Sequence, residues 1–278
     1  MPVPALHATY VKRALLAGAR LVRFVVAYVK ANFEIALEYR AAFWAQVFGM
    51  LLNDAMWLAF WGLFFHRFQT VRGYEFRDVV MVWAVAALAF GLTTGLSGNA
   101  WRFATQIAQG GLDFYLVLPK PVLLHLAISA MDVSAWGDVL FGLSQFLLFV
   151  QPSPGRLALF MLVCLAAMAV LVAYGIAANS LAFWLGNAEG VARELQNTLL
   201  IFSTYPSALF GGVAKLLLFT VVPAGFVTYV PVDLLRSWSW PLAGALAGAA
   251  VLAVGLAGAI FSLGLRRYES GNLLAMRE

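Results

Sequence analysis

Residues 79–97 read VVMVWAVAALAFGLTTGLS, nineteen positions without one charged side chain. A bilayer hydrocarbon core about 30 Å thick takes a helix of about 20 apolar residues. The stretch has that length, and the rest of the chain repeats the pattern. Spans are expected at 43–65, 79–97, 122–150 and 157–185, with an irregular fifth near 195–204 and a last at 241–265. Composition agrees, since 63% of the 278 residues are hydrophobic and 11% charged, with mean hydropathy +0.86. Soluble domains use roughly 45–50% apolar residues. A soluble core of this length could not hide so much apolar surface, so the class is a polytopic all-α membrane protein.

The connections between these runs fix the layout. Residues 66–78 form a short polar link, Gln151-Pro152-Ser153-Pro154-Gly155 is a strong turn signal, and 186–194 is a polar break. Tyr205-Pro206 interrupts the fifth run, and the apolar stretch 215–230 contains Pro223 and Gly225. Two whole crossings do not fit there. A broken re-entrant hairpin between helices five and six does, because non-helical backbone at membrane depth is tolerated where protein covers it. Ahead of the first span, Lys12, Arg13, Arg20, Arg23 and Lys30 are too frequent for a crossing. Leu15, Leu16, Ala19, Val22, Val26 and Val29 gather on one side of a helix, so residues 1–42 read as an amphipathic interfacial helix. Residues 43–278 then form a six-helix transmembrane domain. With both termini in the cytoplasm, twelve of the eighteen Lys and Arg residues lie inside, as the positive-inside rule favours. In the last span Gly244 and Gly248 form a small-xxx-small pair, suited to close helix approach within this chain or with a second one.

Several function classes fall away. Cys164 is the one cysteine, which rules out an intrachain disulfide or a cysteine-cluster metal site, and His7, His66 and His125 are scattered. No metal site is expected. The charge of +5 comes without a basic stripe carrying a nucleic-acid motif, so nucleic acid is not an expected partner and membrane lipids are. Arg20 and Arg23 interrupt the only candidate signal-peptide core, so the N-terminal segment is expected to stay attached.

The segment 98–121, cytoplasmic in this layout, places Trp101, Ala104, Thr105 and Ala108 at helical spacing. Gly110-Gly111 can end that helix, and Pro119 and Pro121 stop the next. A short helix lying along the membrane surface is expected, with a face suited to a groove on a cytoplasmic protein. Among polar groups inside the spans, Asp54 lies mid-span beside Asn53, Asp132 and Asp138 fall in the third, and Asn179 in the fourth. A charged group at a span centre costs about 2.5–3.5 kcal/mol on insertion scales. These side chains should therefore face protein or water, lining a pathway or making interhelical polar contacts. Asp132 and Asp138, six residues apart, fall roughly 240° apart on one helix and share no face. No catalytic constellation emerges.

The six-span layout and N-terminal helix, together with GGLDFYLVLPKP at 110–121, Tyr205-Pro206, VPAGFVTYVPVDLL at 222–235 and RYESGN at 267–272, resemble an ABC-2-type transporter permease. The resemblance covers nearly the whole chain. It is closest to the uncharacterised branch in which two different permease chains stand beside one ATPase. It implies a non-catalytic exporter subunit in a bacterial plasma (inner) membrane, driven by a cytoplasmic ABC ATPase dimer and paired with a second permease chain, the same or homologous. ATP and Mg would be cofactors of the partner, since no Gly-x-x-x-x-Gly-Lys-Ser/Thr phosphate loop occurs here. Leu96-Ser97-Gly98-Asn99 has no nucleotide-binding domain around it and reads as coincidence. Under this resemblance Trp101, Arg102, Gln106 and Asp113 are the coupling candidates, assisted by the N-terminal helix and by 189–194. Asn53, Asp54, Asp138 and Asn179 are the pathway or interhelical candidates. Broken helices and intramembrane acids also suit an ion-coupled secondary transporter, and a membrane-embedded lipid-modifying enzyme is a weaker rival.

Overall fold

The computed structural model describes residues 3–71, 73–150 and 153–268. Gln151 and Pro152 of the expected turn, Arg72, and the tail from Glu269 onward lie outside the described residues, as do the side chains of Lys12, Arg13, Leu15 and Leu16. The described chain is helical throughout: α1 (Val3–Glu38), α2 (Arg40–Arg67), α3 (Phe76–Ser97), α4 (Ala104–Ala108), α5 (Asp113–Leu116), α6 (Val122–Ile128), α7 (Ala135–Val150), α8 (Pro154–Ser180), α9 (Ala182–Leu185), α10 (Glu189–Thr204), α11 (Gly212–Thr220), α12 (Val230–Arg236) and α13 (Trp240–Leu265). A 3-10 turn, Gly98–Trp101, follows α3, and a π turn, Gly225–Tyr229, leads into α12.

Local chemistry sets the helix starts. The Glu75 amide donates to Asp78 Oδ2 at 2.9 Å, half of a capping box at the head of α3. Ser153 Oγ accepts the Arg156 amide at 3.3 Å, and Pro154 occupies the first turn of α8, where no amide is needed. Helices α2, α3, α8 and α13 are long and apolar enough to cross a membrane. With 16 residues each, α7 and α10 reach only about 24 Å at 1.5 Å per residue. Between α11 and the segment from Gly225 to Arg236 the chain bends by 76°, the break expected around Pro223.

Helix α3 is the central column. Sixteen of its 22 residues are buried, against five of 28 in α2 and four of 26 in α13. It packs along α7 on one side and α8 on the other, with α2 outside α7, α13 outside α8, and α10 leaning on α8. Backbone contact makes this order possible. A Cβ at Gly142 of α7 would stand 2.7 Å from Ala84 O and Leu88 N of α3, and one at Gly137 would stand 2.6 Å from Val47 O of α2. Small residues at both contacts let the backbones approach closely. Around Gly244 and Gly248, by contrast, nothing lies within 4 Å, so that pair does not serve packing within the described chain.

The expected continuous span 122–150 is divided into α6 and α7. Asp132 sits in the break, where its amide donates to Thr94 O at 3.0 Å and its carboxylate accepts from Ser134 N and Oγ at 3.1 and 2.8 Å. Leaving the helix lets this carboxylate reach Arg102, 3.8 Å away, near the surface. Asp132 and Asp138 therefore share no helix, which corrects the expectation for that span. Helix α1 docks on α6, where Tyr28 Oη hydrogen-bonds His125 Nε2 and Asn32 Nδ2 donates to Ile128 O at 3.1 Å. At the opposite end of α3, Arg236 of α12 pairs with Asp78 at 2.6 Å and lies over the Tyr74 ring.

Gly142→Ala is expected to lower the apparent melting temperature of the detergent-purified chain, because overpacking costs about 1–3 kcal/mol. Gly244→Ala should leave it unchanged. Equal melting of the two variants would contradict the close α3–α7 contact.

Candidate functional site

Gly137 does more than bring α7 onto α2, because it places the next residue, Asp138, against Asp54. The two side chains line the same cavity, and both residues are 3% exposed. Asn53 Nδ2 points at Asp54 Oδ1 from 3.5 Å, the limit of a hydrogen bond.

The pair forms one wall of a cavity of about 170 Å³ between α2, α3, α7, α8, α10 and the π turn. Its other walls are mostly apolar or aromatic, including Trp57, Trp83, Phe90, Leu171, Leu200 and Val227, with Asn53, Ser203 and Thr204 as the further polar residues. The rings of Trp57 and Trp83 stack with centroids 6.0 Å apart. Three buried polar atoms of lining residues have no partner: Asp54 Oδ2, Trp83 Nε1 and Ser203 Oγ. Such groups are costly in an apolar interior unless something bonds them. No Lys or Arg side chain lines the cavity. Among the described residues no group of acidic, histidine or cysteine side chains could hold a metal ion.

Asn179 lies elsewhere. Its Oδ1 accepts the Ala104 amide at 3.0 Å, and its Nδ2 donates to Gly175 O at 2.9 Å and Ala100 O at 3.4 Å. It fastens the 98–108 segment to the end of α8. Trp101, expected at a partner-facing surface, points inward. Its Nε1 donates to Leu171 O at 3.2 Å, its ring meets Phe90 edge-on at 5.2 Å, and any side chain at position 175 would collide with it. Gln196 Nε2 donates to Trp101 O at 3.3 Å, tying in α10 as well. Leu171 and Phe90 both line the cavity, so one side chain joins the segment after α3 to the cavity wall.

The remaining coupling candidates sit around it. Gln106 Nε2 reaches Asn99 Oδ1 at 3.5 Å, and Asn99 Nδ2 donates to Leu126 O and Ser129 Oγ, each at 2.9 Å. Arg102 is exposed and bonds Gly98 O at 3.4 Å beside its Asp132 contact. Asp113 lies against Tyr268, whose hydroxyl is pushed up to about 12 by burial first and by that carboxylate second. Thr105 Oγ1 donates to Glu189 Oε2 at 2.8 Å, and Glu189 in turn holds Arg193. The outward apolar groups here are Phe114, Leu116 and Val117 on and after α5, with Val117 81% exposed.

Ser203, Trp83 and Trp57 escaped the sequence reading, since each sits in an apolar run that gives no local sign of a cavity. Asn99 belongs to the stretch set aside as coincidence, and its role is to hold backbone rather than nucleotide.

A family model described as ABC-2 family transporter protein matches residues 51–271. No curated protein and no solved structure matches the chain.

Asn179→Ala is expected to leave the Ala104 amide and Ala100 carbonyl short of partners, about 1–3 kcal/mol for each buried group. Hydrogen exchange of the peptide 98–108 should accelerate in that variant. Unchanged protection would remove the anchoring role.

Proposed function

The chain belongs to the ABC-2 family of transporter proteins, and from that premise we propose that it is the permease subunit of an ATP-binding cassette exporter, moving its cargo out of the cytoplasm or inner leaflet. Membership and the apolar helices make it a multi-pass membrane protein, and the family implies a partner ATP-binding subunit. In this reading it sits in a bacterial inner membrane with both termini cytoplasmic. Helices α2, α3, α7, α8, α10 and α13 make six crossings, and α11 with α12 forms a re-entrant hairpin. The short α7 and α10 are completed by the non-helical backbone beside them.

The motor is a cytoplasmic ATPase dimer that supplies ATP and Mg, and a second permease chain, the same or homologous, completes the pathway. ATP shifts such an assembly only by binding one arrangement better than another. The observation that carries the proposal is the Trp101 link. Phe114, Leu116 and Val117 offer an apolar patch for the ATPase, and the segment behind it is bonded to the wall of the cavity through Trp101, Leu171 and Phe90. Asn179 and Asn99 stiffen that segment, so a push at its surface moves the cavity wall rather than the loop alone. The cavity lined by Asp54 and Asp138 is the substrate pathway, with Asn53 at its edge.

Two experiments test this. A separate P-loop ATPase should co-purify with the chain, and transport in reconstituted vesicles should require its ATP hydrolysis. Transport driven by an ion gradient in the absence of any ATPase would assign the chain to secondary transport instead. In the assembled complex, a Met50→Cys reporter at the cavity should change its maleimide labelling rate on ATP binding, since the native Cys164 is fully buried. Trp101→Ala should preserve ATP hydrolysis and abolish that change. A change that survives in Trp101→Ala would remove Trp101 from the coupling path.

A further inference from the structure

The cavity is electrically one-sided in a way a simple void is not. Its lining contains the two acidic groups Asp54 and Asp138 and no basic side chain. Asp54 Oδ2 and Ser203 Oγ are buried acceptors without partners, on residues 3% and 1% exposed. The stacked Trp57 and Trp83 rings stand beside them, and aromatic faces attract cations. Trp83 Nε1 is an unused donor, which a head-group oxygen or a water carried in with the ligand would satisfy. A volume of about 170 Å³ holds roughly five or six water-sized groups, at about 30 Å³ each. That is enough for a small head group and too little for a whole lipid.

The mouth decides the rest of the ligand. Among the lining residues Trp57 alone is exposed, at 45%, and Met56, Phe60 and Leu63 of the same helix α2 are exposed apolar side chains too. A hydrocarbon tail leaving the cavity meets that face directly. We propose that the cavity binds the primary ammonium head of a single-chain amphiphile, with the ammonium donating to Asp54 Oδ2 and Ser203 Oγ and the tail leaving past Trp57 along α2. A cation is the complement of a cavity lined by two acidic groups and no basic one. The permease reading is needed only for the further step that this molecule is cargo; the binding itself stands on the cavity.

The test uses the full chain in nanodiscs without ATP, carrying Met50→Cys, and reads protection from maleimide by dodecylammonium, dodecyltrimethylammonium or dodecanol. Hydrogen bonds to a charged group correspond to about tenfold or more in affinity. Dodecylammonium should protect at about tenfold lower concentration than dodecanol, with the trimethyl compound, which has no N–H to donate, in between. The double variant Asp54→Asn with Asp138→Asn keeps the shape and removes the charge, and should erase the preference for ammonium. Asp138→Asn alone should retain it, because Asp54 and its unpartnered Oδ2 remain. Ser203→Ala should weaken dodecylammonium about five- to tenfold and leave dodecanol unchanged.

Equal protection by ammonium and alcohol in the parent chain overturns the proposal, as does an unaltered preference in the folded double variant. If the double variant does not fold, the comparison of probes on the parent chain and on Ser203→Ala decides. A failure here leaves ATPase co-purification untouched, and a failure to find an ATPase leaves binding untouched, so the two readings stand or fall separately.

Discussion

The backbone contact at Gly137 governs the chemistry of this molecule. Without a side chain there, α7 lies on the backbone of α2 at Val47, and the next residue delivers its carboxyl group to Asp54. Either carboxyl alone inside an apolar body would be an uncompensated charge or an idle polar group. Held together they face one cavity, with Asp54 Oδ2 left without a partner. Gly142 one turn later repeats the close approach toward α3, which is why α3 is nearly enclosed while α2 and α13 keep most of their surface turned outward.

The same economy governs the segment that follows α3. Its short helices could not hold a conformation alone, since isolated helices shorter than about 12 residues are marginal in water. Side chains from neighbouring elements bond its backbone instead: Asn179 from α8 takes two of its groups and Gln196 from α10 takes a third, while Trp101 drives a ring into the space that Gly175 leaves. These bonds tie the segment between an exposed apolar patch and the cavity wall.

Much of this was legible beforehand, and the exceptions have a common cause. Runs of apolar residues located α2, α3, α8 and α13 to within a few positions, because length and hydropathy are local properties. The bend near Pro223 followed from proline chemistry. The break between α6 and α7 was missed, because no glycine or proline marks it. What stabilises it is Asp132 bonding Thr94 and approaching Arg102, groups brought close only by the fold. Trp101, expected on a face suited to a cytoplasmic protein, is turned inward onto Leu171 and Phe90, since an amphipathic pattern does not say which face meets the body of the protein.

By itself the sequence determined that the chain lives in a bilayer, where its four longest apolar helices run, that its intramembrane carboxyls must be turned away from lipid, and which family it resembles. All of these follow from transfer energies and motifs read along the chain. Only the tertiary structure decided that Asp54 and Asp138, 84 residues apart in the chain, line one cavity, that Asn179 bonds the segment after α3 rather than the cavity, and that Ser203 and Trp83 complete the cavity wall. Hydropathy sums over neighbours in sequence, whereas a cavity is a property of neighbours in space, and the helix rotations that choose those neighbours are fixed by where two backbones can touch.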